Sequence, residues 1–419
     1  MHEICNSSYV STPLGHGRYW ISYGKCAVEL VGLVCASELY RCNKWICGNR
    51  CVSVDCHRQD HPTGVVGVVS NQVDATWRAR FDFGRCILTH YFNFTASFIC
   101  FFIFFCIFGL FESSAVGENI DMSRARVTSS DNRLIEIEYD TFGSPSDPAL
   151  LLIMGFTAQM VAWEEEFCKM FSDRGFHVIR FDNRDCGLST HLDGVAVDTN
   201  AVIEAAMFET EMPAVPYTLS DMASDAVGLL DHLKISKAHI LGASMGGMIA
   251  QTFAIDHPHR TLSLISVMSQ PGEPEVGQPS PEAAIAIMAQ PPKTREEYIA
   301  SSTQWQVWQS KKYRSDEISF RNAARDFDRA FYPEGAPRQM AAIYASGRRT
   351  EQLAKLNCPT LVVHGLDDTL ISPSGGERTA ELIPSAKLLM VKDMGHDLPR
   401  PLWPAFVDAV VGHIAQVVA

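Results

Sequence analysis

A serine, an aspartate and a histidine stand in this chain in the order and settings that build an activated nucleophile. Ser244 lies in Gly242-Ala243-Ser244-Met245-Gly246, a Gly-x-Ser-x-Gly pattern. The bare pattern is weak, because two of its three fixed residues are common glycines. Its setting is stronger, since an apolar run, 238–241, precedes it and a helix-compatible run follows at once. A serine on so sharp a turn presents its hydroxyl above a helix N-terminus, where backbone dipoles favour developing negative charge. Glycine is expected on both sides because a side chain there would clash. The chemistry is nucleophilic acyl transfer, and it calls for neither cofactor nor metal.

A hydroxyl is a poor nucleophile until a base takes its proton. His396, in Met394-Gly395-His396-Asp397, follows the last strand and a turn-forming glycine. Two other late histidines compete. His364 ends the preceding strand, ahead of the acid rather than after it, and His413 falls within the last helix and reads as exposed. The base needs a carboxylate to hold its tautomer and to stabilise the imidazolium. In His364-Gly365-Leu366-Asp367-Asp368 two aspartates compete for that role. Asp368 is favoured because it precedes a Thr-Leu-Ile-Ser-Pro segment that turns back toward the sheet, whereas Asp367 reads as a solvated turn residue. Acyl transfer also needs donors aimed at the oxyanion. The backbone N–H of Met245 is one, and the N–H of Phe156, just past the apolar run 149–154, is the second. The plainer reading of Phe156 is a lid residue in an ordinary turn.

These residues need a scaffold, and from residue 133 strands and helices alternate. Strands are expected at 133–142, 149–154, 176–181, 238–241, 261–267, 360–363 and 386–391. Helices are expected at 161–175, at 217–235 with Thr218 or Ser220 as its cap, and at 402–418. Continuous apolar runs such as Leu150-Leu151-Leu152-Ile153 suit strands buried on both faces. The alternation predicts an α/β fold with a mostly parallel, doubly wound sheet. Ligands in such sheets sit at the carboxyl ends of strands, where Ser244 lies.

Residues 133–419 resemble the α/β-hydrolase family, and more closely the bacterial esterases typified by aclacinomycin methylesterase. The resemblance is carried by 152–156, by Val178-Ile179-Arg180-Phe181-Asp182-Asn183-Arg184-Asp185-Cys186-Gly187-Leu188-Ser189, by the turn at Ser244, by His364–Asp368 and by Gly395-His396. It implies that Ser244, Asp368 and His396 form a catalytic triad, with the Phe156 and Met245 amides as oxyanion hole. The chain departs from the family pattern at Met154, where many relatives have histidine, and at Asp185, where many have glycine. The reading is a serine hydrolase acting on a carboxylic ester. The same groups also serve thioesterases, lactonases, cofactor-free haloperoxidases, carbon–carbon hydrolases and acyltransferases, or a ligand-binding protein without activity. Ser244 argues against dehalogenases and epoxide hydrolases, which need aspartate there.

About eighty residues, 271–350, separate two of the strands, too many for a loop in a compact domain. They are expected to form a helical cap, entered through the proline-rich stretch 271–281. Tyr298, Trp305, Trp308, Tyr313, Phe320, Phe327, Phe331, Tyr332 and Tyr344 belong to it. Such rings mostly pack the cap on itself, and some suit a small to medium apolar ester.

The first 121 residues differ in kind. Ten of the thirteen cysteines precede residue 107, and residues 1–118 carry nine basic and nine acidic residues, so the net charge of −13 belongs to the remainder. That acidity excludes a nucleic-acid binder. Residues 1–85 form a Cys-rich extension. Cys42, Cys47, Cys51, Cys56 and His57 lack the tight Cys-x-x-Cys pairs of structural zinc sites. Residues 86–111 hold no Asp, Glu, Lys or Arg. As a helix the run would span about 39 Å, enough for a bilayer core of about 30 Å. Arg78, Arg80 and Arg85 before it would keep the N-terminus cytoplasmic and the enzyme outside. Residues 112–132 read as a linker. Translation from Met122 would instead yield a soluble, cytoplasmic chain of 298 residues. The sequence carries no signal for an oligomeric state.

Overall fold

A computed structural model describes the backbone of seven strands within residues 9–82 and, beyond them, residues 123–128, 132–290, 292–384 and 386–418, with side chains between 124 and 416. The chain divides into two compact units, residues 1–117 and 118–419. In the first unit the strands follow one another between Tyr9 and Asp82, each antiparallel to the next. Sequence reading leaves this region without assigned structure. Runs such as Val65-Val66-Gly67-Val68-Val69 supply the β-branched residues that strands favour. The side chains of the cysteine cluster at 42–57, and the whole apolar run 86–111, lie outside the described residues. Among the described residues no helix is long and apolar enough to cross a membrane.

The second unit is built on eight strands: β1 (Ser123–Thr128), β2 (Leu134–Phe142), β3 (Ala149–Ile153), β4 (His177–Phe181), β5 (Ala238–Ala243), β6 (Thr261–Val267), β7 (Thr360–Gly365) and β8 (Ala386–Val391). Their order across the sheet is β8-β7-β6-β5-β3-β4-β2-β1. All neighbours are parallel except β1–β2 and β2–β4. Residues 123–128, assigned to the linker by the sequence, are therefore the edge strand of this sheet. They earn that place by alternation, with Ala125 and Val127 buried and Arg124 and Arg126 exposed.

Among the described residues eleven helices accompany the sheet: α1 (Glu165–Ser172), α2 (Thr199–Phe208), α3 (Leu219–His232), α4 (Met245–Asp256), α5 (Pro281–Met288), α6 (Arg295–Ser301), α7 (Asp316–Ala330), α8 (Ala336–Ala345), α9 (Thr350–Leu353), α10 (Ser374–Leu382) and α11 (Trp403–Val418). Along β3 the side chains alternate between two cores. Leu151 and Ile153 join the face covered by α3 and α4, while Leu150 and Leu152 join the face covered by α1 and α11. The fully apolar run is thus buried on both sides, as a central parallel strand requires. Thr218 caps α3 in a reciprocal box with Asp221. The helix expected at 161–175 is shorter, since a 3₁₀ turn at Met160–Ala162 precedes α1. His413, expected to be exposed, is 5% accessible. It shares the inner face of α11 with Phe406 and Val410, at helical spacings of seven and three. The segment 271–350 is helical, holding α5 to α8 between β6 and β7.

Candidate functional site

The chain passes from β3 outward to β4, then returns to β3's other side as β5. The reversal opens a crevice at the carboxyl ends of β3 and β5. Ser244 follows β5 directly, with φ 58° and ψ −123°. A serine pays conformational energy to sit there, so the surrounding structure must impose it. A Cβ at Gly242 would run into the carbonyl of Gly246, and one at Gly246 into the carbonyl of Ile153. Both glycines are therefore required for the helix start to lie against the two strands. Although Ser244 caps α4 by position, its hydroxyl makes no capping bond.

That hydroxyl instead meets His396. Ser244 Oγ lies 2.8 Å from His396 Nε2, and His396 Nδ1 lies 2.7 Å from Asp368 Oδ2. The other Asp368 oxygen accepts the N–H groups of Leu370 at 2.9 Å and Ile371 at 3.0 Å. Burial pushes the Asp368 carboxyl up, but His396 and His364 beside it outweigh burial and hold it below its ordinary value. As a carboxylate it only accepts, so His396 carries its proton on Nδ1 and presents a bare Nε2 to the hydroxyl. Such a line can take the serine proton as the oxygen attacks and stabilise the resulting imidazolium.

The segment after α6 holds the histidine loop. The His396 N–H donates to the carbonyl of Trp308 at 2.6 Å, Ser310 Oγ donates to the carbonyl of Asp393, and Asp397 Oδ1 accepts from the Ser310 N–H at 2.9 Å. Asp397 is raised to about 6, chiefly by burial. On the far side, Gly155 packs on the nucleophile, for a Cβ built there would lie 3.0 Å from Ser244 Cβ and 3.4 Å from its Oγ. The carbonyl of Met154 accepts from Asn183 Nδ2 at 2.8 Å, so methionine in place of the family's histidine leaves that loop anchored through its backbone.

The structure brings Ser244, His396 and Asp368 into one hydrogen-bonded line and sets the loop bearing Phe156 beside Ser244. Met245 is the first residue of α4. Asp367 stays partly exposed, 3.8 Å from Lys311. His364 does not face Ser244; its Nε2 sits 2.8 Å from the carbonyl of Ile371 and 3.4 Å from Asp368 Oδ2. Asp185, the other departure, has φ 61°, a conformation glycine adopts freely. Its carboxylate accepts two bonds from Arg338 at 2.8 Å and one from the Tyr217 hydroxyl at 2.8 Å. Asn183 stands in the motif that follows β4, but nothing in that motif announces its bond to Met154, and Arg338 and Gln339 stand in no motif at all. Of the rings in 271–350, Tyr298 packs against Trp305, Phe327 and Phe331. Among the described residues no three His, Cys, Asp or Glu side chains gather as a metal site.

Residues 148–399 match the family described as alpha/beta hydrolase fold. Rhodomycin D methylesterase DauP of Streptomyces sp. strain C5 is 26% identical over 298 residues, which cover 65% of this chain and 92% of that protein. The solved enol-lactonase from Burkholderia xenovorans LB400 is 22% identical with a TM-score of 0.53, over 69% of this chain and 99% of its own. A thermophilic esterase from Thermogutta terrifontis is 24% identical with a TM-score of 0.51, over 70% of this chain and 99% of its own.

Proposed function

We propose that this chain, which belongs to the alpha/beta hydrolase fold family, is a serine hydrolase that cleaves a carboxylic ester through an acyl-enzyme. The observation that carries the reading is the unbroken line from Ser244 Oγ through His396 to a buried, ionised Asp368. Ser244 Oγ attacks the ester carbonyl while its proton passes to His396 Nε2. The carbonyl oxygen becomes an oxyanion, held by the N–H groups of Phe156 and Met245. As the tetrahedral adduct collapses, the C–O bond to the alcohol breaks and His396 returns the proton to the departing oxygen. Water then gives a proton to His396 and attacks the acyl-serine. The second collapse releases the acid and restores the Ser244 hydroxyl. The aromatic rings of 271–350 favour a small to medium apolar ester, and this segment acts as the cap over the site. The methylesterase relative makes methyl esters the natural companions to p-nitrophenyl esters in a first screen.

The test compares the purified chain with Ser244→Ala on short p-nitrophenyl and methyl esters. The variant should lose roughly three decades in kcat/KM, the scale of losing a triad member. A fluorophosphonate probe should label the parent chain on Ser244 and leave the variant unmarked. Equal rates in the two proteins would remove the nucleophile, and with it the proposal.

A further inference from the structure

The loop that carries Phe156 is fastened to the segment after β4, through Asn183 and Asp182, and also to the helical insertion. Gln339, on α8, is fully buried and uses both ends of its amide. Its Oε1 accepts the Thr157 N–H at 2.8 Å, and its Nε2 donates to the carbonyl of Arg184 at 2.8 Å. Thr157 has φ 55°, a left-handed conformation that a β-branched residue adopts only when held. Its hydroxyl donates to the carbonyl of Phe156 at 2.8 Å. The peptide joining Phe156 to Thr157 is therefore gripped at both its oxygen and its nitrogen. Two residues on, Gln159 is bound to α7. Its Nε2 donates to the carbonyls of Asp326 at 2.6 Å and Ala330 at 2.9 Å, and its Oε1 accepts from Arg329 at 2.7 Å. Arg338, beside Gln339, grips Asp185 in the neighbouring loop. One end of α8 thus reaches two loops at the carboxyl edge of the sheet.

We infer that Gln339 is a positioning residue for the oxyanion site: by holding Thr157 in its left-handed conformation it aims the Phe156 N–H at the reacting carbonyl oxygen. The inference rests on the serine-hydrolase reading above. Its consequence is that the insertion does more than cover substrate. Seating of α8 and completion of the oxyanion site become one event, so the site is fully formed only when the insertion is docked. A residue that merely filled a buried polar position would affect stability alone. One that aims an oxyanion donor acts on the transition state more than on bound substrate.

Gln339→Met keeps the length and removes both hydrogen bonds, Gln339→Asn is too short to reach Thr157, and Gln339→Glu keeps an acceptor for Thr157 while losing the donor to Arg184. Each is compared with the parent chain and with Ser244→Ala, reading kcat and KM on a p-nitrophenyl ester and the inhibition constant of an aryl trifluoromethyl ketone. That ketone adds the serine and so mimics the tetrahedral oxyanion. For Gln339→Met and Gln339→Asn, kcat should fall roughly 10- to 100-fold with KM within about twofold. The inhibition constant should rise by the same factor, and Gln339→Glu should fall between these variants and the parent. Folded Gln339→Met with the parent's kcat, or with a change confined to KM, overturns the inference. Where Gln339→Met does not fold, Gln339→Asn and Gln339→Glu decide on the same criteria. A Ser244→Ala protein as fast as the parent would instead overturn the underlying reading, whatever the Gln339 variants do.

Discussion

Two carboxylates stand beside His396, and their surroundings shift them in opposite directions. Asp368 is held below its ordinary value by its histidines, so the stability it lends is present above that value and is lost as pH falls. Asp397 is raised to about 6, chiefly by burial, although it accepts N–H bonds from Ser310 and Gly395. Its contribution runs the other way. It is fully present below the unfolded value near 3.8, and is lost as pH rises through about 6. The loss is at most about 3 kcal/mol, at roughly 1.4 kcal/mol per tenfold change in proton affinity. Asn at this position keeps the accepting oxygen and cannot ionise. Asp397→Asn should therefore gain on the parent between pH 4.5 and 7, read as denaturant midpoints at the two pH values. Parallel profiles would show that the Asp397 charge carries no such penalty. At this scale the sequence was legible where a residue stood in a motif. Ser244, His396 and the preference for Asp368 over Asp367 followed from chain order and turn context. Gln339 was not legible, because its partners at Thr157 and Arg184 lie more than 150 residues away and a lone glutamine in a helix has no spacing signal.

Strands and helices show the same division. The central strands were readable because burial on both faces demands an unbroken apolar run, as in β3. Two helices gave no such signal. In α2 only Val202 and Ala205 are buried, while Met207 and Phe208 are 65% and 68% accessible, so no apolar stripe of helical period appears. α10 opens on Ser374-Gly375-Gly376, a poor helix start by propensity. Its second glycine is required by packing, since a Cβ there would lie 2.5 Å from the His364 ring. Pairing between strands also carries a device that sequence alone hides. Arg180 of β4 and Asp140 of β2 stand opposite each other in register and form two bonds of 2.7 Å, both side chains buried. Arg180 also donates to the carbonyl of Trp163 and lies over the Phe142 ring. Asp140→Ala leaves this guanidinium without its carboxylate, and removing one partner of a buried pair costs about 3–5 kcal/mol. The loss should appear as a lower denaturant midpoint with an unchanged slope. The pair touches none of the proposed catalytic groups, so the rate per folded molecule should hold. A fall in kcat at full stability would contradict this assignment.

Across the whole molecule, charge and cysteine usage separate the chain where its contacts do. Residues 1–118 are electrically neutral by count and hold most of the cysteines, while the excess of −13 lies beyond them. The contact boundary falls at Gly117. Among the described residues, both clusters of buried side chains begin at or after Ala125, and they cover the two faces of a single eight-stranded sheet. The sheet, its helices and every residue of the proposed mechanism thus lie within 118–419. A unit of about 300 residues buries roughly three quarters of the surface its unfolded chain exposes, which is ample for independent stability. Residues 118–419 expressed alone should fold cooperatively, melt with the hydrolase unit of the full chain, and match its kcat/KM within about twofold on the same ester. The start of that segment matters, because β1 at Ser123–Thr128 covers the edge of β2 along six paired positions. Beginning instead at 132 would bare the backbone of β2 and invite edge-to-edge association. Melting curves and light scattering on the two segments distinguish these cases. Aggregation of 118–419 would mean that the first unit supplies something the sheet needs, and a soluble, active 132–419 would mean that β1 is dispensable.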